Sequence, residues 1–469
     1  MLLNKYTLLF VCLATLLNTV NTQAESKPNV LFIAVDDLNH WTGYLGRNPQ
    51  ARTPNIDRLA RMGLQFTNSY CAAPVCNPSR AALLSGMRPS TTGVYDNNND
   101  WRTVIGPEKT LPTTFRQAGY RTFGAGKIYH GSYDRHSEWE DYLEDEGRDP
   151  KPKGDSGVGG IAFAPLDCED EDLREWKIVQ YGIRKLQEKS DKPFFISLGL
   201  HKPHMPWNVP RKYYDMFPVD QIKLPPYRED DLKDIPPAGI AMAKPSGDHQ
   251  AILDSGRWKE AIQGYLAAIA YCDAMIGRLL DGLEKSPHAD NTIIVFWGDH
   301  GWHLGEKHHW RKFALWEEAT RAPLLWVVPG ITKPGTISRR TVDFMTIYPT
   351  LMDLCKINAP EHLEGKSIKE LLINPEADWN QPAMTTFRYK NHAIRTENYR
   401  YIKYENGDEE LYDEKKDPYE WNNLAGDPQY ASVIKELSRL LPNQNKNEIG
   451  QARSNSKKAA NAKRKEAEK

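Results

Sequence analysis

Two short clusters of acidic residues and histidine stand out as groups that could do chemistry, and each follows an apolar run directly. Asp36-Asp37 ends the run Asn29-Val-Leu-Phe-Ile-Ala-Val35, and Gly298-Asp299-His300-Gly301 ends the run from Thr292 to Trp297. Adjacent carboxylates that leave a strand for the interior repel each other, which is costly unless a cation sits between them. If the two strands are neighbours in one sheet, three carboxylates and an imidazole converge. That donor set suits a hard divalent ion such as Ca²⁺ or Mg²⁺, and no second His or Cys follows at zinc spacing. Read alone, Asp36-Asp37 is better explained as a capping or turn pair. A third group is Cys76-Asn77-Pro78-Ser79-Arg80, a thiol with a proline two residues on and an arginine two beyond that. By itself it also reads as a buried or disulfide-bonded cysteine. Lys127 and His130 in Gly126-Lys-x-x-His, the box His201-Lys-Pro-His204, and Lys312 add candidate cations and proton carriers. Each has a plain structural alternative: a solvated loop lysine, a capping or strand-end histidine, a solvated charge run through Lys307, Arg311 and Lys312.

The elements that must position these residues alternate in type. Thr53-Pro54 opens a helix that runs to Met62, with threonine as cap and proline in the first turn. Pro112 to Ala118 reads as a helix, Thr122-Phe123 as a strand before Gly124-Ala-Gly-Lys127, and Phe194 to Leu200 as a strand running into His201. Arg257 to Glu284 is a long amphipathic helix, followed by the Thr292 strand and another from Leu324 to Val328. Strands alternating with helices predict an α/β fold, a large mixed, mostly parallel sheet sandwiched by helices. The polar clusters fall just after strand ends, where ligand sites in open α/β sheets lie. From about Ala359 the pattern changes to short antiparallel strands within Ala393 to Tyr404 and Glu410 to Asp413, then a helix near Tyr430 to Leu441. This divides the chain into a main domain at residues 25–358 and a smaller C-terminal α+β subdomain at 359–442. Residues 443–469, basic and poor in large apolar side chains, are expected to form a disordered tail.

The 469 residues carry 61 Lys and Arg against 62 Asp and Glu, so no broad positive field argues for a nucleic-acid partner. Residues 1–24 have the form of a signal peptide: Lys5, an apolar stretch from Leu8 to Leu17, and the small-residue site Thr22-Gln23-Ala24. The apolar stretch is too short to span a membrane, and nothing later is long enough. The chain is therefore read as secreted or periplasmic, without a membrane span. Beyond Cys12, the cysteines are Cys71, Cys76, Cys168, Cys272 and Cys355, an odd number that fits one modified residue plus four available for pairing. Trp101, Arg102, Trp207, Trp302, His309 and Trp310 are candidates for sugar contact, or for the core.

Taken in order, Asp36-Asp37, Cys76-x-Pro-Ser-Arg80, Gly126-Lys127-x-x-His130, His201-Lys-Pro-His204, Asp299-His300-Gly-Trp302 and Lys312 resemble the formylglycine-dependent (type I) sulfatases of the alkaline phosphatase superfamily. The His-Lys-Pro-His box, the run from Asp299 to Glu306 and the Asp/Asn-rich stretch before Trp101 are similar to the iduronate-2-sulfatase-like branch. The resemblance implies an alkaline phosphatase-like fold. It also implies that a formylglycine-generating or anaerobic maturation enzyme oxidises Cys76 to formylglycine at the start of a helix. On the same footing Asp36, Asp37, Asp299 and His300, with the modified Cys76, would hold Ca²⁺, or Mg²⁺ in its place. Arg80 would orient the aldehyde hydrate, and Lys127 and Lys312 would clamp sulfate oxygens. His130 would take the proton whose loss expels sulfate, and His201 would act as general acid near the bridging oxygen. The implied reaction is hydrolysis of a sulfate ester on a sulfated polysaccharide or oligosaccharide, uronic-acid-containing and exo-acting, through a formylglycine-sulfate intermediate. The alternatives are a phosphoester or phosphonate hydrolase of the same superfamily, or a catalytically inactive carbohydrate-binding homologue. The loops at 135–170 and 225–256 are expected to choose the sugar.

Overall fold

In the computed structural model, which describes residues 27–450, the first apolar run forms β1 (Asn29–Val35) in the middle of an eight-stranded sheet. The remaining strands are β2 (Leu64–Tyr70), β3 (Arg121–Gly126), β4 (Asp141–Tyr142), β5 (Phe194–Leu200), β6 (Thr292–Gly298), β7 (Leu324–Val327) and β8 (Thr336–Asp343). Their spatial order is β8-β2-β7-β6-β1-β5-β3-β4. β7 runs antiparallel to both of its neighbours, and every other pairing is parallel. This is the large mixed, mostly parallel sheet anticipated from the alternation of elements.

Helices cover both faces of the sheet, chief among them α1 (Pro54–Met62), α2 (Cys76–Ser85), α3 (Leu111–Gln117), α4 (Arg174–Gln187), α5 (Trp258–Glu284) and α6 (Ile347–Leu354). Leu31, Ile33 and Val35 of β1 pack with Leu59 of α1, Ile178 of α4 and Leu266 of α5 on one face. Val30, Phe32 and Ala34 pack with Leu83 of α2, Phe115 of α3 and Leu351 of α6 on the other. A strand buried on both faces needs apolar residues at every position, which is why β1 reads as a continuous run. The N-terminus of α1 is capped from a distance. Thr53 makes no capping bond; instead the Asp273 carboxylate of α5 accepts from the backbone N–H of Asn55 (3.0 Å) and Ile56 (2.8 Å). Tertiary packing supplies the cap that the local sequence was expected to supply.

The C-terminal region forms an antiparallel meander, β9 (Ala383–Thr386), β10 (His392–Arg395), β11 (Tyr399–Lys403) and β12 (Glu409–Asp413), with α7 (Ala431–Ser438) against it. Its seam with the main sheet holds buried ions. Arg400, fully buried, pairs with Glu317, with Glu414 at 3.2 Å and with Glu420 at 2.5 Å, and donates to the Leu315 carbonyl at 3.1 Å. Burial pushes the Glu317 carboxyl up, but Arg395, Arg400 and Arg321 outweigh it and hold the group well below its usual range. This seam anchors the segment that carries Lys312.

One expectation needs correction. Residues 443–450 do not begin a disordered tail. They lie along the loop before Trp101: Lys446 N–H donates to Ser90 O (2.8 Å), Ile449 N–H to Gly93 O (3.0 Å), and Asn99 Nδ2 to Ile449 O (2.9 Å). The remainder, 451–469, and the signal segment 1–24 fall outside the described residues. Among the described residues the five cysteines are all free thiols, and Cys71, Cys272 and Cys355 are buried.

Replacing Arg400 with Met leaves Glu317, Glu414 and Glu420 buried beside one another without their shared cation. A loss of about 3–5 kcal/mol is expected, read as a fall of several degrees in melting temperature. An unchanged melting temperature would contradict the account of the seam.

Candidate active site

β3, β5, β1 and β6 are adjacent and parallel, so their carboxyl ends share one edge. The ladder continues one residue past each strand: Asp36 N–H donates to Leu200 O (3.1 Å), Asp299 N–H to Val35 O (3.0 Å) and Lys127 N–H to Gly199 O (2.8 Å). Asp37 then turns away in a left-handed conformation (φ 58°), and its N–H donates to Asp299 Oδ1 at 3.0 Å. Gly126 (φ 77°) faces Gly199 across the ladder; a methyl group on Gly126 would overlap the Gly199 carbonyl, and one on Gly199 would overlap the backbone at Lys127. Only glycine lets the chain turn there and aim Lys127 along the edge.

α2 brings Cys76 to this edge at its first residue. Cys76 Sγ lies 3.0 Å from Lys312 Nζ, 3.4 Å from His300 Nε2, and 3.8 Å from both Lys127 Nζ and Asp37 Oδ1. Arg80, one turn along and fully buried, donates from Nε to Asp299 Oδ2 (2.9 Å), faces Asp36 Oδ1 at 3.6 Å and bonds the Lys127 carbonyl. Ser79 Oγ donates to Asp299 O at 2.5 Å. Lys127 pairs with Asp36, and Lys312 with Asp37 at 2.6 Å.

The electrostatics follow from burial. Burial pushes Asp36 up, but Lys127 above all, with Arg80 and Lys312, holds it well below its usual range. Asp37 is pushed up to about 6, chiefly by burial against the pull of Lys312. Asp299 is pushed up to about 7 by burial despite Arg80. Burial draws the Lys312 ammonium down, yet the nearby carboxylates, Asp37 first and then Asp36 and Asp299, raise it overall, so it stays charged. The three buried cations therefore do not fully satisfy the three carboxylates.

The same residues fit a divalent ion. Asp36 Oδ1 and Asp37 Oδ2 are buried without a hydrogen-bond partner, and donor atoms of Asp36, Cys76, Asp299 and His300 all lie within 4.8 Å of one another. His300 Nδ1 donates to the Gly301 carbonyl at 3.0 Å, which leaves Nε2 facing Asp37 and Cys76. A fixed tautomer of this kind is what a metal-facing imidazole needs.

The histidines behave differently from one another. His130 lines a cavity of about 500 Å³ beside Lys127. Its Nδ1 is buried without a partner, and burial, with Lys127, lowers it to about 3, so it is neutral. His201 lines the same cavity but turns away from the carboxylates, pairing with Glu146 Oε2 at 2.8 Å. His204, from the same box, is the one that faces Asp36 and Asp37. The chain folds back, His204 N–H donating to His201 O (2.8 Å), and sets His204 Nε2 3.8 Å from Asp37 Oδ2 and 4.0 Å from Asp36 Oδ2. Its Nδ1 donates to Met205 O at 2.5 Å, and burial with Lys127 keeps the ring neutral. Both histidines stand in one sequence box, and nothing local says which of them the turn returns to the edge. Trp101, Trp207 and Trp302, candidates for sugar contact, are fully buried packing residues. Arg102 is paired with Asp100 at 2.9 Å.

Comparisons with known proteins identify the family. The chain matches the sulfatase family across residues 28–357, and the C-terminal region of N-sulphoglucosamine sulphohydrolase across 305–447. A sulfatase of Formosa agariphila is 37% identical over 94% of this chain and 92% of its own length. Iduronate 2-sulfatase of Homo sapiens is 29% identical over 91% of this chain and 96% of its own length. A structure solved in complex with its substrate, D-glucosamine-2-N,6-O-disulfate, superposes with a TM-score of 0.72 at 24% identity, covering 89% of this chain and 97% of that one; it shows the same fold. No helix among the described residues is long and apolar enough to cross a membrane. The chain belongs to the sulfatase family of sulfuric ester hydrolases.

Proposed function

We propose that the protein removes sulfate from sulfated oligosaccharides or polysaccharides by way of a formylglycine at position 76. The observation that supports this most directly is the crowding of Lys312, Lys127, His300 and Asp37 around the Cys76 side chain, all within 3.8 Å. The thiol itself is a poor nucleophile there, because burial and Asp36 push it up, away from the thiolate. Oxidised to an aldehyde and hydrated, the same position supplies one hydroxyl to attack sulfur and another whose deprotonation releases sulfate. Asp36, Asp37, Asp299 and His300 would hold a divalent ion, calcium by the hardness of its carboxylate donors, and that ion would supply positive charge to offset the charge of the sulfate ester. Lys127 and Lys312 hold the sulfuryl oxygens as fixed charges, and preorganised charge of this kind accounts for most of the rate gain in many enzymes. Arg80, locked between Asp299 and Asp36, orients the side chain at 76. His130, neutral, is the acceptor for the proton lost at residue 76. His204 replaces His201 as the proton carrier at the leaving oxygen, since its Nε2 faces the centre.

The sugar assignment draws on the named relative, an iduronate sulfatase, and on the cavity beside Lys127. At about 500 Å³ it lies within the range of about 300–1,000 Å³ of small-ligand sites. It suits a terminal sugar, uronic acid in the relative's case, attacked from a chain end. Maturation by a formylglycine-generating or anaerobic enzyme, and export behind residues 1–24, belong to the same proposal.

Sulfate release from defined sulfated oligosaccharides, set against matched phosphate esters, tests the function. Sulfate should be favoured by at least about tenfold, about 1.4 kcal/mol in the barrier; faster phosphate release would overturn it. Peptide mass at residue 76 of the exported protein should show the aldehyde, and EDTA should abolish turnover that Ca²⁺ restores; full activity with unconverted cysteine would remove the proposed chemistry. His204→Ala should lower kcat by about 10²-fold or more, whereas His201→Ala should chiefly raise KM for the glycan. Equal losses in kcat would mean that the two histidines are not divided in this way.

A further inference from the structure

A second cavity, of about 520 Å³, is walled by the residues on either side of Lys312. Its lining includes Lys244, Arg311, Phe313, Phe387 and Arg388. Four of these sit in the left-handed region: Lys244 (φ 51°), Arg311 (φ 78°), Phe313 (φ 76°) and Arg388 (φ 60°). Each such residue costs about 1 kcal/mol or more, and strain of this kind gathers at ligand sites. The rings of Phe313 and Phe387 lie 6.3 Å apart, both only partly buried, and offer an aromatic wall. Arg311 is paired with Asp248 at 2.5 Å and Arg388 with Asp96 at 2.8 Å, which leaves Lys244, exposed, as the cation in excess.

Two walls of this cavity are bonded to the segments around the reaction centre. Phe313 N–H donates to Pro74 O at 3.2 Å, two residues before Cys76. Asp96, the partner of Arg388, accepts at its carbonyl from Asn77 Nδ2 at 2.9 Å. Between them Lys312 sends Nζ to 3.0 Å from Cys76 Sγ. The two loops expected to choose the sugar are thereby shared out. Residues 146 and 149 of one line the first cavity, and residues 241–244, 247 and 248 of the other line the second.

We propose that the second cavity is a saccharide subsite for an anionic sugar unit neighbouring the one whose ester is cleaved. Its ring lies on Phe313 and Phe387, and its carboxylate or sulfate meets Lys244. The inference rests on the glycan-sulfatase reading and adds that the preferred substrate is at least a disaccharide whose second unit is charged.

The test compares the unsubstituted protein, Phe387→Ala and Lys244→Glu on three substrates: a sulfated monosaccharide, a uronate-containing sulfated tetrasaccharide, and its carboxyl-reduced counterpart. Both variants should raise KM for the uronate tetrasaccharide about tenfold and leave kcat/KM for the monosaccharide within about twofold. Insensitivity of the carboxyl-reduced substrate to Lys244→Glu identifies the carboxylate as the group read; retained sensitivity identifies a sulfate. An unchanged KM for the tetrasaccharide, or equal losses on monosaccharide and tetrasaccharide, overturns the subsite alone. No sulfate release from any of these glycans by the unsubstituted protein overturns the glycan reading together with it.

Discussion

Buried charge governs this molecule. Asp36, Asp37 and Asp299 have no solvent exposure, and neither does Arg80, which ties two of them together. Lys127 and Lys312 complete the set. Ions cannot stay inside a protein unpaired, so each of these side chains is tolerable only because the others are in place. The balance is also incomplete, since burial still holds the Asp37 and Asp299 carboxyls near neutrality. A site whose buried carboxylate oxygens lack partners at Asp36 and Asp37 is arranged to accept one more cation, which would hold those carboxyls ionised.

The scaffold answers to that constraint. Four parallel strands deliver their ends to one edge, a helix N-terminus brings Cys76 to the same place, and a glycine pair clears the path for Lys127. Lys312 comes from farther away, on a segment whose downstream end is held by Glu317 and the Arg400 cluster. The C-terminal meander is thus part of what positions a cation against Cys76. It also supplies Phe387 and Arg388 to the cavity beside Lys312. The residues 445–449 brace the Asn99 loop, whose carbonyl accepts from Asn77 Nδ2 at 2.7 Å.

Much of this arrangement is legible in the chain itself. β1, β5 and β6 match their apolar runs to within a residue, because a strand buried on both faces must be apolar throughout. The three carboxylates at two strand ends, Asp36-Asp37 and Asp299, point to a cation site on similar grounds: without a counter-charge such residues are too costly to bury. Less legible are features set by non-local contacts. Thr53 has the look of a cap for α1, yet Asp273, far away in sequence, is the residue that caps it. Several tryptophans that suit a sugar cleft are core residues.

What the sequence determined by itself is the inventory and its order along the chain: apolar runs ending in acids, a thiol opening a helix, lysines and histidines in reach of both. Composition and periodicity are properties of neighbours in the chain, and they dictate which segments must be buried. Which side chains then meet was decided only by the tertiary structure. His204 rather than His201 faces the carboxylates because a turn reverses the chain after β5. Lys312 reaches Cys76 across 236 residues because its segment is tied to Pro74 through Phe313 and held downstream by the Glu317–Arg400 pair. Distances of a few ångströms between remote residues depend on packing, and packing is written in no single stretch of the chain.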